Sequence, residues 1–290
     1  MELVMQMPTD TSLPFFSYGI FRVGGISFIC IKEHIKNIEK NKRAVGRLLV
    51  RDGIPILDTE EKSFYADGDI CYFKEAKGEE AYNEIIGLEP EKYYTWEQQE
   101  IEGVKVNLLS GVKAKKGSVV AESPFWDSWN DDALFNTAFE IIDEDLASME
   151  FKSIDGKKFL KLQMLYLLLW TSIERYLGLR YSFRGAEISS KMRSLATNKN
   201  FAEILERRTE KSRYREIYST DKVENALRFN NANAKKSLEY YYQVRCNITH
   251  RGKAALDDSD LVEKCLVDLK ETFVEFLAAE KRDAESTPFN

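Results

Sequence analysis

Arg245 and His250 stand five positions apart in the segment YYYQVRCNITHRGK, with Asn247 between them. A guanidinium can clamp a phosphate through two N–H donors and stabilise a pentacoordinate transition state. An imidazole titrates near neutrality and can exchange protons with a ribose 2′-hydroxyl or a leaving oxygen. The trio fits RNA cleavage in which the ribose supplies its own nucleophile and no metal is required, with Asn247 orienting either partner. At helical pitch five residues subtend about 140°, so both side chains reach one cleft without stacking, and they would converge further if the helix loosened after Asn247. Spacing alone equally fits a structural histidine, a cation near the C-terminal end of a helix dipole.

Charge supports a polyanion near this segment. The chain carries a net charge of −6, which argues against indiscriminate nucleic-acid binding. Residues 1–150 hold 16 Lys+Arg against 28 Asp+Glu, whereas residues 151–256 hold 22 against 10. The basic excess is thus confined to the region that carries Arg245 and His250, where a polyanion would dock. Arg251 and Lys253 just after the motif, and Arg213 and Arg215 in a stretch rich in Tyr and Asn, are candidate RNA contacts, through phosphates or stacked bases. A solvated linker is the other reading of that stretch.

The elements that must position these residues change character along the chain. From Leu13 to about Gly117 short apolar or alternating segments (FFSYGIF, ISFICI, AVGRLLV, IPILD, DICYF, KVNLL) read as strands separated by turn signals such as Asp52-Gly53 and Asp67-Gly68. EEAYNEIIGL has helical spacing, and the polar run around His34 reads as helix or loop. From about Trp126 the period becomes helical, over DDALFNTAFEIIDEDLASM, Lys157–Leu179, Ala186–Leu195, Asn200–Arg208, Ala234–Thr249 and Asp260–Ala279. A chain of 290 residues with 43% hydrophobic and 31% charged residues is ample for two folded domains. The expected fold class is α+β, with a sheet domain over 1–120, a helical domain over 121–282 and a frayed tail over 283–290.

Four dispersed cysteines without a CxxC pair and two histidines predict neither a zinc site nor a disulfide framework. The start MELVMQMPTD has no basic cluster or sustained apolar stretch, and the run Met164–Trp170 is too short to span a bilayer. A cytoplasmic protein with no membrane partner is the expectation.

The segment VRCNITHRGK resembles the signature of the HEPN superfamily, whose RNases carry an Arg, four to six intervening residues and a His, with a polar residue soon after the Arg. The Tyr-rich helix leading into Arg-x-Asn-x-x-His-Arg-Gly-Lys most resembles the Apea-like branch found in prokaryotic defence genes. The resemblance covers roughly residues 128–282, with a specific part of about ten residues. It implies an all-α bundle, catalytic Arg245 and His250, a supporting Asn247, and Glu174 of the segment SIERYL as a further member of the site. It also implies a homodimer in which two facing motifs form one composite site, no cofactor, RNA as substrate, and a defence or toxin role with an antitoxin-type partner.

A second resemblance lies in SYGIFRVGG, AVGRLL, DGIPIL, DGDICYF and NEIIGLEPEKYY, taken in that order. It is similar to the gamma-glutamylcyclotransferase fold, a small mixed barrel-like domain with a Tyr-Gly-x-x loop and an acidic residue before a Tyr-rich strand, here over Leu13–Gly111. The resemblance implies that Tyr18, Gly19, Ile20, Phe21 and Arg22 form a loop around a small-molecule or peptide ligand. It gives Glu89 the proton-shuttling position. Ile20 replaces a small polar residue and Pro90 a glycine, departures from the pattern of an active cyclotransferase. The combined expectation is an endoribonuclease regulated by a cyclotransferase-like domain. Two other readings stay open: an inactive HEPN module that binds RNA or protein, and a gamma-glutamyl-amine cyclotransferase dimerised by its helices.

Overall fold

The computed structural model describes residues 5–89, 92–149, 155–181, 188–218, 226–251 and 258–286; for residues 250 and 251 it describes the backbone alone. The described residues fall into two compact units. The first comprises the described residues within 1–133, 178–186 and 281–290, and the second those within 134–177 and 187–280.

In the first unit the apolar segments pair into a five-stranded sheet of order β2-β5-β1-β7-β6. Its strands are β1 (Phe15–Ser17), β2 (Ile35–Val45), β5 (Tyr65–Phe73), β6 (Thr95–Ile101) and β7 (Val104–Ser110). All neighbours are antiparallel except β1 and β7, which meet in parallel at Phe15 and Asn107. A second antiparallel sheet, β4-β3-β8, joins β3 (Arg47–Arg51), β4 (Ile54–Asp58) and β8 (Val119–Val120). Helices α1 (Phe28–Lys32) and α2 (Gly78–Leu88) contribute Phe28, Ile31, Tyr82 and Ile85 to a core shared with Phe15, Phe16, Ile70 and Leu108.

Three expectations change here. ISFICI is a helical turn rather than a strand, since a short apolar run fits either state and the preceding turn at Gly24-Gly25 starts the helix. The polar run after His34 is the edge strand β2, whose outward charges solvate a sheet margin. The expected barrel is an open sheet, because its two edge strands share no backbone ladder. They meet instead through Gln99 of β6, whose side chain accepts from Val45 N at 2.9 Å and donates to Val45 O at 2.7 Å.

The second unit is built from α3 (Thr137–Ala147), α4 (Gly156–Tyr181), α5 (Ile188–Thr197), α6 (Lys199–Arg208), α7 (Ala234–Arg251) and α8 (Ser259–Glu285), plus a two-residue ribbon of β9 (Ile217–Tyr218) and β10 (Ala226–Leu227). Along α4, Phe159, Leu162, Tyr166, Leu169, Ile173 and Tyr176 are buried at alternating steps of three and four, the stripe that a core-facing helix requires. Asn233 caps α7 by accepting from Lys236 N at 3.0 Å, and Asn198 caps α6 by accepting from Phe201 N at 3.2 Å.

The boundary expected near residue 120 is not linear. The last residues of α4 and α8 belong to the first unit, where Ser27 Oγ donates to Leu179 O at 2.8 Å and Lys32 Nζ to Asp283 O at 2.6 Å. For the same reason α8 continues to Glu285, past the start of the expected frayed tail. Among the described residues no helix is long and apolar enough to cross a membrane.

Candidate functional site

In the helical unit Arg245 projects from α7 toward α4, where its Nη2 lies 3.3 Å from Glu174 Oε1. The guanidinium also sits over the ring of Tyr242, 5.5 Å from its centroid, and Tyr242 in turn packs edge-on against Trp170. Burial raises the Tyr242 phenol above its ordinary value, with Cys246 adding to the shift and Arg245 opposing it. Lys191 of α5 is held below its usual value by burial while the charge of Glu174 pulls it back up. Two cations, one carboxylate and a phenol therefore share one surface, with positive charge in excess.

Helix α7 does not loosen after Asn247: it runs unbroken to Arg251, and Thr249 Oγ1 donates back to Arg245 O at 3.1 Å. His250 is thus on the same helix five residues beyond Arg245, and its side chain, like that of Arg251, lies outside the described residues, as does all of Lys253. Asn247 does not support Arg245. Two residues apart on a helix point to different faces, and Asn247 instead accepts from Gln243 Nε2 at 3.0 Å and donates to Tyr218 O at 3.3 Å. There it lines a cavity of about 250 Å³ with Gln163, Arg215, Tyr218 and Asp258.

The two tyrosine-flanking arginines divide. Arg215 is half exposed, pairs with Asp258 and borders that cavity, so it stays available to a ligand. Arg213 Nη1 binds the buried Asp268 at 3.2 Å, and Tyr214 OH donates to the same carboxylate at 2.6 Å. Tyr214 stacks on Phe229 with centroids 4.0 Å apart, inside an aromatic cluster with Tyr240 and Tyr241. Arg213 is thus tied down as the counter-ion of Asp268. An Arg213→Ala chain is expected to lose about 1–2 kcal/mol of stability, since Asp268 keeps Tyr214 but loses its cation, and to bind single-stranded RNA like wild type. Denaturant melts and a filter-binding titration check both halves.

In the sheet unit, Tyr18, Gly19, Ile20 and Phe21 are all buried, the last three in a 3-10 turn. Gly19 has φ +64° and a Cβ there would lie 2.3 Å from Pro55 Cγ, so only glycine fits. Tyr18 OH donates to Leu109 O at 2.6 Å and accepts from Leu57 N at 3.2 Å, which makes it a strut between β7 and β4. Arg22 is anchored inside this unit, although among the described residues its buried Nη1 has no hydrogen-bond partner. Its Nε reaches the buried Asp69 at 3.3 Å, its Nη2 donates to Asn41 Oδ1, and its guanidinium covers the Phe125 ring at 4.2 Å. Asp69, which also accepts from the backbone of Val23 and Asn41, is the organising residue that the sequence reading missed.

Glu89 follows α2 and is 2% exposed, and among the described residues its Oε2 has no hydrogen-bond partner. Desolvation raises its carboxyl to about 8. Burial, followed by the charge of Glu89, raises the Tyr18 phenol, so the loop and the carboxyl lie within electrostatic reach of each other. A buried carboxyl that is neutral at pH 7 can donate a proton and, once ionised, accept one.

No protein-family model matches the chain, and no curated protein matches it. Among solved structures it is similar to uncharacterized protein PH0828 from Pyrococcus horikoshii, with 15% identity over 48% of this chain and 100% of that one and a TM-score of 0.33. That likeness is too slight to bear on fold or function. Among the described residues no three His, Cys, Asp or Glu side chains are grouped as a metal site would need.

Proposed function

We propose that the helical unit is a HEPN-type endoribonuclease, with Arg245 as the phosphate clamp and His250 as the proton carrier. The observation that carries this reading is the Arg245–Glu174 pair: two residues 71 positions apart, named from one motif and one helix, meet at 3.3 Å on the basic part of the chain. The reaction is transesterification. The 2′-oxygen attacks the adjacent phosphorus and gives its proton to a base, the P–O5′ bond breaks, and an acid protonates the departing 5′-oxygen. A 2′,3′-cyclic phosphate and a 5′-hydroxyl result. One imidazole per chain supplies one of these proton transfers, and a second copy supplies the other. Leu160 and Met164, exposed one turn apart on α4, support such pairing through the helical unit.

The test is expression of wild type beside His250→Ala in cells, with total RNA mapped for new ends. Cyclic-phosphate ends and growth arrest with wild type only are expected. Intact RNA under every condition, phage infection included, would move the reading to a binding module.

The buried Glu89 carboxyl, whose Oε2 has no partner among the described residues, supports a second reading, in which the sheet unit transfers protons on a gamma-glutamyl amine. Turnover of such an amine that disappears in Glu89→Gln is its signature, and no turnover of any such amine would rule it out.

A further inference from the structure

The described residues include ten exposed large apolar side chains, and five of them (Phe64, Tyr65, Val119, Val120 and Phe125) come from two short stretches of the sheet unit. Phe64, Tyr65 and Val120 line a groove of about 400 Å³ together with Arg47, Ser123 and Pro124. Scattered apolar residues need no explanation, but a concave cluster of this kind marks an interaction surface. Its walls are fixed by backbone bonds: Ala121 N to Leu48 O at 3.1 Å, Gly46 N to Phe64 O at 2.9 Å and Asp67 N to Pro124 O at 2.8 Å.

Two further features define what would fill the groove. First, β8 is the outer strand of the β4-β3-β8 sheet. The Ala121–Leu48 bond and the register Leu49↔Val120 make Val120 a non-hydrogen-bonded pair with Leu49, so its N–H and C=O turn away from β3 toward the open edge. Second, Arg47 lies over the Phe64 ring at 4.3 Å, its Nε is buried without an acceptor, and among the described residues its guanidinium has no hydrogen-bond or ion-pair partner. Arg43 in the same groove is already paired with Asp67, and Glu122, which also lines it, is exposed to solvent. Among the described residues that line the groove, the buried charged group without a partner is therefore the cation of Arg47.

From these we infer that the β8 edge and the Arg47–Phe64 groove form a docking site for an extended, carboxylate-bearing peptide segment. The peptide adds to β8 as a strand through Val120, places apolar side chains against Phe64 and Tyr65, and turns an Asp or Glu carboxylate onto Arg47. This site is independent of Arg245, His250 and Glu89.

The probe is a displayed library of random decapeptides panned on the full chain, then titrated against wild type, Arg47→Glu and Val120→Pro. Proline deletes only the outward N–H, which makes no bond to β3, and is tolerated on an edge strand. Enrichment of sequences alternating apolar residues with Asp or Glu, bound at least ten-fold more weakly by both variants, is expected, with the melts of all three chains alike. Enriched peptides that are basic, or that bind both variants like wild type, would overturn the proposal, as would a failure to enrich. Capture of polyadenylate lost in Arg47→Glu would assign the groove to nucleic acid, and concentration-dependent self-association lost in Val120→Pro would assign the edge to a second copy; either result also overturns it.

Discussion

Between pH 5 and pH 8 the wild-type chain is expected to lose several kcal/mol of unfolding free energy relative to a Glu89→Gln variant. The folded carboxyl is raised to about 8 from an ordinary value of 4.5 because burial penalises its charge. Below pH 4.5 it is protonated in both folded and unfolded chains and costs nothing. As pH rises past 4.5 the unfolded chain releases the proton while the folded chain keeps it, so stability falls at up to about 1.4 kcal/mol per pH unit. Above pH 8 both states are ionised and the fall stops, after a total of up to about 5 kcal/mol. The full figure applies because the group is 2% exposed and solvent screens little of it. Glutamine does not titrate, although its buried amide donors cost about 1–3 kcal/mol at every pH. The variant should therefore be the weaker chain near pH 5 and draw level with or overtake wild type by pH 8. Urea melts at four pH values decide the matter, and parallel profiles would show that Glu89 is an ordinary carboxylate.

That Glu89 is buried was not legible in its own residues, since a Glu at the end of a helix before Pro90 reads equally as a solvated charge. The helices were legible because period survives in composition: Phe159, Tyr166 and Ile173 interleave with Leu162, Leu169 and Tyr176 along one face of α4, whatever packs against it. The strand β2 was not, because an edge strand wears the lysines and arginines of a helix surface and its state is decided by β5 beside it. Membership of the two units was also hidden. Nothing in the run through Leu179 says that Ser27, 152 positions earlier, will bond to its carbonyl. The same holds within the sites. Arg213 and Arg22 look like surface cations until Asp268 and Asp69 are brought to them from 55 and 47 positions away. Asn247 looked like a neighbour of Arg245 in the chain, whereas the unbroken α7 sends the two to different faces.

Arg245→Ala is expected to reduce RNA cleavage by roughly 10²- to 10³-fold, the typical loss when one donor to a developing oxyanion is removed, while leaving the melt within a few degrees of wild type. The stability half follows from exposure. The side chains of Arg245 and Glu174 are 25% and 36% exposed, and partly solvated pairs of this kind are worth about 0–1 kcal/mol. A residue whose deletion barely moves the fold but removes activity acts on the substrate. Arg245→Lys separates charge from shape: it restores the cation but not the planar fork, so most of the loss should persist if the phosphate is gripped bidentately. Glu174→Gln keeps an oxygen that can accept from Arg245 and drops only the charge. It should cost less than Arg245→Ala, and in the double variant the Glu174 effect should shrink toward nothing, because a positioning group has no role once the group it positions is gone. Additive losses in that cycle would mean that Glu174 touches the substrate itself, and wild-type cleavage by Arg245→Ala would remove α7 from the chemistry altogether.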